Sequence, residues 1–245
     1  MVALVFILLS SSVSAQTERS PSDVVRDFYK AMREHHFKEA WAMTVYKPAV
    51  TDLTPQEMED LLPFFEAQSA PVPDQIQINS EEIKGNVAQV FVQLPATEAT
   101  PQINSKPVDL IRSGNAWIIG TEAEQAKVKA AGRRYFLDAV IDLNQDNMED
   151  VLKRLIGVQA VFAQTHNGAF GETKELLAAG LISDDMIDPK TSGYNFHLTL
   201  GADKKTFVAT AEPTRYGGTA KRSFWMDQTG AIKSADNGGK PIPGK

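Results

Sequence analysis

The chain has 245 residues and no cysteine. That removes disulfides, thiolate metal ligands, a cysteine nucleophile and a lipid-carrying N-terminal cysteine. Positive charge is in short supply too. Lys and Arg number 25 against 31 Asp and Glu, a formal net charge of −6. General nucleic-acid binding needs clustered cations to displace phosphate counterions, so that class is excluded. Arg133-Arg134 and Lys221-Arg222 are short basic pairs that read as solvated faces. Long apolar runs are missing as well. After Val2–Leu9 no segment reaches the length of a membrane span, so the mature chain is expected to carry no stable span. There is no nucleophile elbow and no His-Glu-x-x-His. Neither catalytic residues nor a cofactor are expected.

What is present begins with an export signal. The apolar run Val2–Leu9 is too short to cross a bilayer, and Val13-Ser14-Ala15 follows in the pattern of a signal-peptidase site. Residues 1–15 are therefore read as a signal peptide, and the protein as periplasmic or secreted.

Helix signals come next. In Ser20-Pro21-Ser22-Asp23 the serine can cap and the proline suits the first helical position, with Val25, Phe28, Tyr29 and Met32 on one face. A second helix is predicted from Phe37. Thr54-Pro55-Gln56-Glu57 repeats the capping logic for a third, which Pro63 should kink or divide. From residue 75 the period changes to two. Ala88, Val90, Val92 and Leu94 share one face of a strand, and Gly85-Asn86 and Gly114-Asn115 mark hairpin turns. Residues 121–145 read as a helical linker. Met148, Val151, Leu152, Leu155, Val158 and Phe162 define another helix, ended by Asn167-Gly168. Alternating strands at 194–198, 207–211 and 223–233 close the chain, and the tail from Asp236 is expected to be loose.

The stretch "YGGTAKRSFWMDQTG" tests for phosphate chemistry. A phosphate loop sets its glycines between a strand and the start of a helix. Here Phe224-Trp225-Met226 follows, so Gly217-Gly218 is a turn between strands. His35 and His36 sit together at a helix–helix turn with no third ligand at fitting spacing. His166 falls at a helix end and His197 on the polar side of a strand. Asp109, between Val108 and Leu110, should face solvent.

Two stretches carry a family likeness. "SPSDVVRDFYKAMREHHFKEAW", "KGNVAQVFVQLP" and "PVDLIRSGNAWIIG" resemble nuclear transport factor 2-like domains of the SnoaL and lumazine-binding-like groups. In those domains a curved sheet wraps helices around a conical cavity. The likeness implies that Tyr29, Trp41, Phe91 and Trp117 line such a cavity, or else fill a core. "VFAQTHNGAFGETKELLAAGLI", "SGYNFHLTL" and "FVATAEPTRYGGTAKRSFWMDQTGAIKSAD" resemble the globular heads of type IV pilins and type II secretion pseudopilins, without the apolar helix that anchors them. Some pseudopilin heads hold calcium near the C-terminus. By that likeness Asp227 and Asp236 are candidate metal ligands.

The expectation is an α+β protein of two domains. A helix-plus-curved-antiparallel-sheet cone occupies residues 20–120, and a helix packed on an antiparallel sheet occupies residues 146–240. The expected role is a non-catalytic envelope protein that binds a protein partner, with type II secretion or type IV pilus machinery as the setting. The alternative is a small-molecule binder or enzyme using the first domain's cavity.

Overall fold

The computed structural model describes residues 19–94 and 104–244. The signal-peptide assignment, which rests on residues 1–15, lies outside them. The described residues form a mixed α+β structure with two four-stranded antiparallel sheets.

Local chemistry sets the first helices. Ser20 accepts from the Asp23 N–H at 3.1 Å and starts α1, Pro21–Arg33. The helix stops where His35 takes a positive φ of 58°. Two short helices follow, α2 (Phe37–Ala42) and α3 (Lys47–Val50). Thr54 and Glu57 close a reciprocal capping box at the head of α4, Pro55–Ser69. Pro63 lies within α4 without dividing it.

The first sheet is a meander of β1 (Gln77–Lys84), β2 (Val87–Leu94), β3 (Asn104–Ser113) and β4 (Ala116–Ile119). Lys84 pairs with Val87 and Ser113 with Ala116, so each hairpin has a two-residue turn. The turn glycines Gly85 and Gly114 have φ near +60° (64° and 61°), which suits such turns. Ala88, Val90, Val92, Leu110 and Trp117 face inward and bury Val24 and Val25 of α1.

A second apolar cluster lies toward the C-terminal end of α1. Met32, Phe37, Leu61 and Phe65 meet there with Val128 from α5 (Glu122–Ala131) and with Phe136, Leu137 and Val140. Those last three open α6, a 32-residue helix from Arg134 to Thr165. At 1.5 Å per residue it is about 48 Å long. Its buried residues continue as Ile141, Gln145, Met148, Leu152, Leu155, Gln159 and Phe162. Steps of three and four alternate along that series, giving one unbroken stripe.

The lower part of the stripe packs on the second sheet. That sheet orders β5 (Tyr194–Leu200), β6 (Phe207–Pro213), β7 (Arg222–Asp227) and β8 (Ile232–Asp236). Met148, Leu152, Leu155 and Phe162 share a core with Tyr194, Phe207, Ala209, Phe224 and Met226. Before it come α7 (Thr173–Ala178) and α8 (Pro189–Ser192). The segment read as a linker, 121–145, is thus α5 plus the first third of α6. It contributes buried Val128, Phe136, Leu137 and Val140 to the core of the first unit, because an alanine-rich, charged surface hid an apolar inner stripe.

Side chains cross between the two units beside the middle of α6. Gln145 Oε1 accepts from the Lys221 and Arg222 N–H groups at 3.3 and 3.0 Å. Asn144 Nδ2 donates to the Thr219 carbonyl at 3.0 Å. Arg134 donates to the Gly217 carbonyl at 3.3 Å, and Arg215 forms an ion pair with Asp60 of α4. The Gly217-Gly218 turn therefore belongs to this junction and to the β6–β7 connection, as the absence of a following helix implied.

Candidate functional site

A cleft of about 380 Å³ opens on the first sheet. Val87 and Ile111 supply its apolar side chains, Ala88 and Leu110 border it with their backbone only, and Glu82, Lys84, Gln89, Asp109 and Glu122 supply its polar groups. Strand register explains the gathering. Gln89 pairs with Glu82 on one side and with Asp109 on the other, and Val87 pairs with Lys84 and Ile111. Paired residues in a sheet point to the same face, so these side chains stand together opposite the Ala88–Val90–Val92 face.

The remaining wall is the link from β4 into α5, Gly120 to Glu122. It is held firmly. The Gly120 N–H donates to the Asp109 carbonyl at 2.7 Å. At Gly120 φ is +122°, and a Cβ there would come within 2.5 Å of Val45 Cγ2, so glycine is required. Thr121 and Glu124 form a capping box, with Thr121 Oγ1 donating to Glu124 Oε2 at 2.8 Å. Burial works to raise the Glu124 carboxyl, but the Thr121 and Tyr46 hydrogen bonds outweigh it and hold it below its ordinary range. Tyr46 donates to Glu124 Oε1 at 3.2 Å. Its phenol is pushed well above the usual range by burial and by the Glu124 charge.

Within the cleft the charges are unevenly matched. Lys84 Nζ lies 3.3 Å from Glu82 Oε2. Asp109 Oδ1 accepts only a neutral bond, from Gln89 Nε2 at 2.8 Å. Among the described residues neither Asp109 nor Glu122 has an ion pair. Asp109 is exposed, as its neighbours implied.

No family model, curated protein or solved structure matches this chain. The residues must carry the functional argument alone.

The aromatics named from sequence are elsewhere. None of Tyr29, Trp41, Phe91 and Trp117 lines the cleft. Trp117 is 6 % exposed and packs with half-buried Tyr29 against α1 and the sheet. Burial pushes the Tyr29 phenol upward. Trp41 lies in a ring-on-ring cluster with Phe28, Tyr46, Phe65 and Phe136, at centroid distances of 5.1–5.8 Å. Phe91 pairs with Ser80 and Pro107, on the face opposite Val90 and Val92. The large rings gain more by excluding water from the helix–sheet interior than by lining a hollow.

The two metal candidates do not meet. Asp227 accepts from the Thr229 N–H at 2.9 Å and from its hydroxyl at 2.5 Å, closing the β7–β8 turn. Asp236 pairs with Arg222 at the far end of that hairpin and accepts from the Tyr216 hydroxyl at 2.9 Å. Five residues of strand separate Arg222 from Asp227, about 16 Å. Among the described residues no group of three His, Asp or Glu could hold a metal ion.

The histidines play local roles. His35 stacks on Phe37 at 5.3 Å. His36 stands 3.8 Å from Glu34 and 3.7 Å from Glu39 on the surface. His166 stacks on Phe162 at 3.7 Å, with Nδ1 2.8 Å from the Phe162 carbonyl. His197 Nε2 lies 3.9 Å from Glu212 on the outer face of the second sheet. The C-terminal tail is also more engaged than expected. Asn237 Nδ2 donates to the Pro241 carbonyl at 3.2 Å, and Gly244 approaches the Trp225 indole.

Proposed function

We propose that the chain is an exported, non-catalytic protein of the cell envelope that binds a protein partner, in the setting of type II secretion or type IV pilus machinery. One observation carries the partner-binding reading. The helix–sheet interiors of both units are filled by side chains, while the open volume and the exposed Val87 lie on the outside of the first sheet. Reactions are favoured by ionisable groups held in a water-excluding pocket. The carboxylates of this cleft stand at an open surface. Exposed apolar residues rimmed by charge suit a protein contact. The likeness of residues 20–120 to nuclear transport factor 2-like domains, and of residues 146–240 to pilin and pseudopilin heads, supplies the setting.

A second reading has its own support: 380 Å³ is within the range of small-molecule pockets. The two separate on capture of partners from an envelope extract by the immobilised full chain. Recovery of secretion or pilus components supports the first reading. Recovery of no protein, together with a thermal upshift from a small-molecule panel, overturns it in favour of the second.

A further inference from the structure

We infer that the cleft on the first sheet receives an arginine side chain of the partner. The inference rests on the partner-binding reading and names the chemistry that this site recognises. Three carboxylates, Glu82, Asp109 and Glu122, line the cleft with one lysine, Lys84, which is already matched by Glu82. Among the described residues the other two carboxylates have no ion pair. Beside them the apolar side chains of the same face are Val87 and Ile111. Carboxylates beside apolar side chains complement a side chain with an aliphatic stem and a cationic head. A guanidinium fits better than an ammonium. Its planar fork can meet one carboxylate with two bonds and still present donors to another acceptor.

Position supports the same occupant. The Gly120–Glu122 wall is fixed by the bond to the Asp109 carbonyl and by the Thr121–Glu124 box, so Glu122 is presented from a rigid element rather than a mobile loop. Gln89 holds Asp109 from the side, which orients one oxygen and leaves the other to face an incoming donor. The chain's net charge of −6 draws a basic partner toward this surface at low salt.

The test uses the full chain, the peptide acetyl-Ala-Val-Arg-Val-Ala-amide and the same peptide with neutral citrulline in place of arginine. Backbone amide shifts on titration should concentrate at residues 82–89, 109–111 and 120–122. The citrulline peptide should bind about tenfold more weakly, as should the Asp109→Asn/Glu122→Gln variant. Rising salt should weaken the arginine peptide and leave the citrulline peptide nearly unchanged. The control variant Glu149→Gln/Asp150→Asn, on exposed α6, should bind like the parent. Equal binding of both peptides, shifts centred elsewhere, an equal loss in the control variant, or equal competition by spermine would each overturn the assignment. Partner capture separates the two claims. If the parent captures a protein and Asp109→Asn/Glu122→Gln captures it as well, partner binding stands and the cleft assignment fails. If the parent captures none, the partner-binding reading fails whatever the peptide does.

Discussion

Removing Arg215 should loosen the two units from each other. Asp60 is on α4 in the first unit, with 6 % of its side chain exposed, and Arg215 is on the β6–β7 connection of the second, with 37 % exposed. Breaking a fully buried pair from one side costs about 3–5 kcal/mol, because the remaining charge is stranded. An exposed pair is worth under about 1 kcal/mol. The Asp60 end is buried and the Arg215 end is more than a third open, so Arg215→Ala should cost about 2–3 kcal/mol. Asp60→Ala should cost less, since the guanidinium it frees can turn to water. The double variant should cost about as much as Asp60→Ala alone, leaving a coupling of about 2–3 kcal/mol. Urea unfolding measures this, with tryptophan as the reporter of place. Trp41 and Trp117 belong to the first unit and Trp225 to the second. Versions that keep only Trp117 or only Trp225 should unfold together in the parent and at separate midpoints after Arg215→Ala. Coincident midpoints with a loss below about 0.5 kcal/mol would refute the junction argument.

Three further outcomes are expected. Gln159, fully buried, exchanges two bonds with Gly171 at 2.9 and 2.8 Å. Gln159→Leu should cost about 2–4 kcal/mol in urea unfolding, since a buried donor and acceptor are both left unpaired. Gly120→Ala combines the 2.5 Å approach to Val45 with a φ of +122° and should cost about 1–3 kcal/mol. Adding Val45→Ala should recover only the part due to the clash. The carboxyls of Glu57 and Glu124 are both lowered from an ordinary 4.5, Glu57 chiefly by the Thr54 N–H and Glu124 by Thr121 and Tyr46 against burial. A lowered folded-state value means these groups bind protons more readily when unfolded. Their contribution is therefore complete above pH 4.5 and is lost as pH falls through the folded-state values. Thermal melts against pH should show that loss, and Thr54→Ala/Thr121→Ala should flatten it.

Much of the scaffold was legible because local chemistry decides it. Ser20, Thr54, Gly85-Asn86, Gly114-Asn115 and Asn167-Gly168 each end or begin an element through their own backbone preferences. The cleft was only half legible. A two-residue turn at Gly85-Asn86 fixes Glu82 beside Gln89, and that much follows from the sequence. The partnership of Gln89 with Asp109 depends on the register of β2 with β3. Their connection is long, and long loops fix no register. Whether Tyr29, Trp41, Phe91 and Trp117 line a cavity or fill a core stayed open in the sequence for another reason: periodicity says that a ring is inward, not whether the space beside it is filled. The role of Gln145 was not legible either. Nothing local in Asn144-Gln145-Asp146-Asn147 shows that Gln145 occupies a stripe position and satisfies two N–H groups at the edge of β7.

That reading of Gln145 makes α6 one helix shared by two cores, and the sharing can be tested at Asn147. Its side chain is exposed, so a substitution there touches the backbone and little else. Proline at a helix-interior position removes a donor and clashes with the carbonyl four residues back, costing about 3 kcal/mol or more. The break would fall between Val140, in the first core, and Met148, in the second. If α6 transmits order along its length, Asn147→Pro should lower the unfolding midpoints of both the Trp117 and the Trp225 reporters and separate them. Val161→Pro, near the exposed C-terminal end of the same helix, should lower the Trp225 midpoint more than the Trp117 midpoint. The contrast matters because a flexible linker would answer differently. Proline at 147 would then leave both midpoints where they were, and the cleft on the first sheet would be free to turn against the second sheet. With α6 continuous, a change at Asn147 is felt in both cores.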